Sequence, residues 1–182
     1  MPPKTRITRE MIVDAAFRIV REEGYEHLSA RNIADSLGCS TQPVLYSFKT
    51  IDEIIEAVYE KADKYHTKFI LPEGREDNPL LELGLNYIRF GHDEKNLFRF
   101  LFQSDKFSGK DMASLLNDPQ LSQVLKVVSD ELKVNKAKAR NIFMSLFAAA
   151  HGMASLLANN AMAYDKKQCK KILENVFTGA VI

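Results

Sequence analysis

Tryptophan is absent from the 182 residues, and cysteine occurs only twice. Each scarcity excludes something. Cys39 and Cys169 alone supply neither a disulfide framework nor a four-ligand zinc pattern, so reduced thiols are expected. Proline and glycine crowd together only between Leu71 and Pro79, which leaves no collagen-like or low-complexity stretch. No run of about eighteen apolar residues occurs, so no contact with a membrane is expected. The N-terminal MPPKTRITRE has no apolar h-region, and the expected location is the cytoplasm. Signatures of catalysis are missing too: there is no Gly-rich phosphate loop, H-E-x-x-H, G-x-S-x-G or C-x-x-C. Asp93-Glu94 and Glu22-Glu23 are adjacent pairs, which diverge on a helix instead of converging on one substrate atom. Neither enzymatic activity nor a metal or cofactor is expected. A single sign of charge is lacking as well, with 25 Lys+Arg against 24 Asp+Glu and a net charge of +1. Contact with a polyanion therefore has to be local, and Lys4, Arg6 and Arg9 offer one basic patch.

What the sequence does contain is helical periodicity. Ile12, Ala15, Ala16, Ile19 and Val20 fall at i, i+3, i+4, i+7 and i+8. Thr8 is placed to cap that helix, Ile7 and Ile12 to staple it, and Gly24 to end it. A short helix is expected from Ser29, burying Ile33, Ala34 and Leu37 and stopping at Gly38. Ser40 or Thr41 can cap a third, with Pro43 tolerated in its first turn. Thr50-Ile51-Asp52-Glu53 has capping-box spacing and opens a helix of twenty residues, with Ile51, Ile54, Ile55, Val58, Ala62, Tyr65 and Phe69 on one stripe. After the break near residues 71–78, Asn78-Pro79 opens another helix, which Gly91 is expected to interrupt. Asp93 is placed to cap the aromatic run Leu97–Phe102. Asp118-Pro119 starts a helix through Leu121, Val124, Leu125, Val128 and Leu132. Residues 136–160 and 166–178 form the last two, the second capped by Asp165. About nine helices and no sheet define an all-α fold.

Two short helices joined by a four-residue turn behind a longer one form a helix-turn-helix arrangement. Its second helix enters a major groove, which places Thr41, Gln42, Pro43 and Tyr46 near base edges, with Ser40 just before them. Glutamine pairs bidentately with adenine, and Thr or Pro touches a thymine methyl. Ser29 and Thr50 sit at helix N-termini, where N–H groups favour phosphate. Arg31 reaches a guanine or a phosphate, while Arg6 and Lys49 follow the backbone.

The stretch from Gly24 to Ala34, then Leu37-Gly38-Cys39-Ser40 and Phe48, resembles the N-terminal domain of TetR-family transcriptional regulators. The likeness spans about residues 8–58, and three slots depart from the family pattern. Leu45 holds the usual Tyr position with Tyr46 one later, Ser47 replaces an aromatic or His, and Ile51 replaces a Lys. Those slots commonly serve phosphate contacts in the family. Arg31 falls on a slot from which some members read a base.

The resemblance implies a three-helix helix-turn-helix domain over 1–50, a connecting helix over 51–70, and a helical effector-binding and dimerisation domain over 71–182. It also implies a homodimer on a palindromic double-stranded DNA operator and an unknown small-molecule effector. A repressor released by an apolar effector is the expected function. Phe98, Phe102, Met144, Phe147 and His151 can line an apolar cavity with few polar groups. Leu156, Leu157, Ile172, Leu173, Val176 and Phe177 can bury against a second copy. The alternative is an all-α protein-interaction module that does not bind DNA.

Overall fold

Helices begin where short polar side chains satisfy the orphan N–H groups of the first turn. The computed structural model describes residues 7–71, 78–104, 125, 126, 128–130 and 132–181. Among these, α1 is Arg9–Glu23, α2 Ala30–Ser36, α3 Gln42–Ser47, α4 Ile51–Ile70, α5 Pro79–Asp93, α6 Lys95–Phe102, α7 Lys136–Ala158 and α8 Lys166–Val181. A 3-10 turn, Tyr25–His27, links α1 to α2, and no strand occurs among the described residues. The fold is all-α. Lys4, Arg6, Asp118, Pro119, Leu121 and Val124 lie outside the described residues, so the expected patch and helix start there are not addressed. Leu125 and Val128, from the same expected helix, are buried.

Caps follow the spacing closely. Thr8 accepts from the Met11 N–H at 3.2 Å, Ser29 from Asn32 at 3.1 Å, Asn78 from Leu81 at 3.1 Å and Asn135 from Lys138 at 2.9 Å. Asp165 accepts from Lys167 and Gln168 at 2.9 and 3.1 Å. Thr41 differs: it stands before α3 with helical dihedrals and makes no side-chain cap. Asp93 differs too. It is the last residue of α5, and α6 starts two residues later at Lys95.

Contacts divide the chain into two compact units. The first runs to Thr67 and adds Asn96–Gln103, and the second is Lys68–Lys95 with Ser104–Ile182. These limits shift the expected borders at 50 and 70, because most of α4 and nearly all of α6 pack with the N-terminal helices. In the first unit α1 packs against α2 and α3 through the fully buried Ile12, Ala15, Ala16 and Val20. Each large aliphatic side chain taken from water there contributes roughly 1.5–3 kcal/mol. On α6, Leu97, Phe98, Phe100 and Leu101 are all buried. Its Phe100 ring lies 5.9 Å from Tyr25 and 5.8 Å from Tyr59, centroid to centroid. The Asn96 amide donates to the Arg21 carbonyl at 3.0 Å.

In the second unit α5, α7 and α8 pack on one another. Gly91 does not interrupt α5. It is the point where α5 meets α7, since a Cβ there would lie 2.7 Å from the Ala154 carbonyl oxygen. By length and composition α7 is apolar enough to cross a membrane, with mean hydropathy 1.4 over its best window. Its buried stripe, including Ile142, Leu146, Met153 and Leu157, belongs to a helix packed against α5 and α8. Asn160, with φ 56°, ends it: the Ala161 N–H donates to the Leu156 carbonyl at 2.8 Å, closing the last turn.

Candidate functional site

The turn between α2 and α3 is set by local chemistry. Gly38 has φ 63°, a left-handed conformation that glycine adopts without a Cβ penalty, and open space surrounds its Cα. The Cys39 N–H donates to the Ala34 carbonyl at 3.0 Å and the Gly38 N–H to Asp35 at 3.1 Å, a Schellman ending. From there α3 runs across the domain with Val44 buried beneath it and Phe48 buried just past its end. Arg9 fixes that end. Its guanidinium donates to the Ser47 carbonyl at 2.9 Å and stands 3.8 Å from the Phe48 ring centroid. Arg9, expected in the basic patch that meets a polyanion, is a clip between α1 and α3 through a contact 38 residues away in the chain.

The outward face of α3 carries the expected readers. Thr41 and Gln42 are exposed, Tyr46 is 91% exposed, and Pro43 is half-buried off to one side. Ser40 is exposed in the turn. Leu45, absent from the expected set, is 58% exposed on the same face. Arg31 is exposed at the start of α2 and only loosely paired, its Nε 3.9 Å from the Asp35 carboxylate. Such a surface pair holds the side chain weakly.

Ser29 and Thr50 both spend their hydroxyl groups on caps, Thr50 accepting from the Glu53 N–H at 3.2 Å. The Glu53 carboxylate in turn accepts from the Lys49 N–H at 3.0 Å, one residue before the usual partner. A carboxylate therefore stands beside the helix end expected to meet phosphate. A polar groove of about 450 Å³ between α1 and α2 is lined by Arg18, Glu22, Glu23, Asn32, Asp35 and others, a lining that repels phosphate.

The expected cavity residues divide between the units. Phe98 is fully buried in the first unit, 5.0 Å from Phe102, whose ring meets buried His66 edge-on at 5.0 Å. Phe98 is thus core at the α4–α6 contact. Burial pushes the His66 pKa down to about 4. Met144, Phe147 and His151 lie on α7 in the second unit. There the Tyr87 hydroxyl is 2.9 Å from His151 Nδ1, and Phe147 packs at 5.8 Å from Tyr87 and 5.6 Å from His151. Burial raises the Tyr87 pKa and lowers that of His151, so both are neutral near pH 7. With the ring proton on Nε2, the phenol donates to Nδ1. Local spacing does not single out Tyr87, because its partner lies 64 residues away.

Four of the six expected interface residues reach the surface of the single chain. Leu156 is 47% and Ile172 38% exposed, and Val176 and Phe177 are half-buried. Leu157 and Leu173 do not. Both are 1% exposed, turned inward by helical phase, and a Leu173 methyl lies 3.1 Å from where a Gly84 Cβ would stand. They are interior packing, and a second copy cannot reach them.

An uncharged outward helix behind a Schellman turn, clipped to a supporting helix, defines a helix-turn-helix DNA-binding domain. Residues 12–58 match the family described as bacterial regulatory proteins, tetR family. This domain is similar to the N-terminal domain of TetR-family regulators. Among curated proteins none matches. The whole fold is similar to that of a TetR-like transcriptional regulator from Rhodococcus sp. RHA1, at 15% identity and TM-score 0.64, covering 97% of this chain and 96% of that one. A second transcriptional regulator from Rhodococcus sp. Rha1 is 16% identical, with TM-score 0.65 and 96% of each chain covered. The multidrug binding protein EbrR, solved with imidazole, is 20% identical with TM-score 0.57, covering 92% and 88% of the two chains.

Proposed function

We propose that the chain is a ligand-responsive transcriptional repressor that binds a palindromic DNA operator as a homodimer and is released by a small apolar effector. The observation carrying this reading is the outward face of α3, where Thr41, Gln42 and Tyr46 stand clear of the core within the segment matched to the TetR family. Ser40, Pro43 and Arg31 flank that face; Ser29, Lys49, Thr50 and Arg6 serve the phosphates. Two copies of α3 about 34–36 Å apart would occupy successive major grooves.

The effector reading is supported by the hydrogen-bonded pair of buried Tyr87 and half-buried His151 beside the Phe147 ring, with Met144 one turn before Phe147 on α7. EbrR, which shares the fold, is a multidrug binding protein complexed with imidazole. Release requires the effector to bind the non-reading arrangement more tightly, and the shift cannot exceed that difference in affinity. The dimer reading is supported by the exposed Leu156 and Ile172 with Val176 and Phe177 beside them. The protein acts in the cytoplasm, without catalysis, cofactor or metal.

The test is selection of duplexes from a random library by the purified full chain, followed by titration at several salt concentrations. Enrichment of a palindrome, with affinity falling steeply as salt rises, is the expected result. No retention on any duplex would leave an all-α protein-interaction module as the better reading.

A further inference from the structure

We infer that Leu45 is a base-reading residue, its isobutyl group meeting the C5-methyl of a pyrimidine in the major groove. The inference rests on the DNA-reading role proposed above and adds the class of base edge being read.

Thr41, Gln42, Leu45 and Tyr46 fall at i, i+1, i+4 and i+5, one face of a helix, while Val44 points inward. Leu45 is 58% exposed and Tyr46 91%. A lone exposed leucine needs no explanation. Two adjacent large apolar side chains on a helix with no charged residue do. The outward face of α1 shows the ordinary solution, with Glu10, Asp14, Arg18, Arg21 and Glu22 all exposed. On α3 the sequence QPVLYS offers water an amide, a hydroxyl, an isobutyl group and a phenol. A leucine cannot donate to a phosphate, so what it meets in the groove is apolar. The only apolar group on a major-groove base edge is the C5-methyl. Gln42, one turn earlier on the same face, has the donor and acceptor that adenine presents, which suits an A·T-containing step. Thymine and 5-methylcytosine share the methyl chemistry.

The experiment uses the full chain and the duplex it selects from a random library. Each thymine of a half-site is replaced in turn by deoxyuridine, which keeps every hydrogen-bonding group and removes only the methyl. Loss of one buried methyl predicts about fourfold weaker binding at one position. Leu45→Ala should weaken the parent duplex by at least that factor and bind the uridine and thymine forms equally. Leu45→Met should retain the penalty. Cytosine and 5-methylcytosine at that position separate the two sources: a gain on methylation in the wild type, absent in Leu45→Ala, assigns 5-methylcytosine as a ligand of the same contact. A response to thymine alone restricts it to thymine. Because Leu45 is exposed, the alanine variant should keep the wild-type circular dichroism and melting temperature. A uridine penalty at no position, or one that persists unchanged in Leu45→Ala, overturns the inference while operator binding stands. Failure to select any sequence removes the DNA-reading proposal and this one together.

Discussion

Arg31 and Gln42 both face outward, yet they ask different things of a duplex. A guanidinium on phosphate releases counterions, so removing it lowers the salt slope by about one unit, whereas losing a base contact changes sequence preference. Gln42→Ala should cost about 1–3 kcal/mol, relax specificity at one position and leave the salt slope unchanged. Arg31→Ala should behave likewise if it reads a base; a reduced slope with preference intact would assign it to the backbone instead. Fluorescence anisotropy on the selected duplex at graded salt separates the outcomes. His66 sets a second residue-scale expectation. Its pKa falls from 6.5 to about 4 because burial disfavours the charged ring, so the unfolded chain binds the extra proton between those values. Stability from the neutral ring is complete above pH 6.5 and is lost as pH falls toward 4, by roughly 3 kcal/mol. His66→Leu should flatten that part of the pH curve whatever its effect on absolute stability, as read by urea denaturation at stepped pH. An unchanged slope would place the acid sensitivity elsewhere, in His151 or the carboxylates.

Among elements, α5 and α7 come close at Gly91, and glycine permits it. Gly91→Ala gains helix propensity of about 1 kcal/mol but drives a Cβ to 2.7 Å from backbone at Ala154, which has no rotamer to yield. Net destabilisation of about 1–3 kcal/mol is expected. Gly152→Ala, on α7 with nothing within 4 Å of its added carbon, should stabilise by roughly 0.5–1 kcal/mol. Denaturant midpoints of the two variants should move in opposite directions. The pair shows what the sequence made legible. Caps at Thr8, Ser29, Asn78 and Asp165 are settled within four residues, so spacing alone reveals them. Gly91 has the look of a breaker because a glycine that permits contact and one that ends a helix differ only in what lies opposite. Arg9 over Phe48, Tyr87 beside His151 and α6 within the N-terminal unit all depend on partners dozens of residues away. For the same reason Phe98, aromatic and well spaced, passed for a cavity wall when it is core.

For the whole molecule, the proposed dimer requires an apolar face that the single chain leaves uncovered. Leu156 and Leu157 are consecutive and therefore about 100° apart on α7, as are Ile172 and Leu173 on α8. One member of each pair closes the chain's own core, and the other is left to solvent. An interface with a second copy has only the outer members to use. Leu156→Glu combined with Ile172→Glu should convert the proposed dimer to a folded monomer, seen as a halved mass in sedimentation with helical circular dichroism retained. Leu173→Glu should instead cost more than about 4 kcal/mol by placing a charge in the interior, and lose its helical signal. The consequence for DNA follows from effective concentration. A dimer holding one half-site keeps its second α3 close to the other, and this gain of about 10²–10⁴ in affinity disappears for a monomer. The double variant should therefore bind an isolated half-site as the wild type does and lose the palindrome's advantage. If it stays dimeric, the interface lies on another face; if it is monomeric yet holds the palindrome as tightly as before, paired recognition is not how this protein reads DNA.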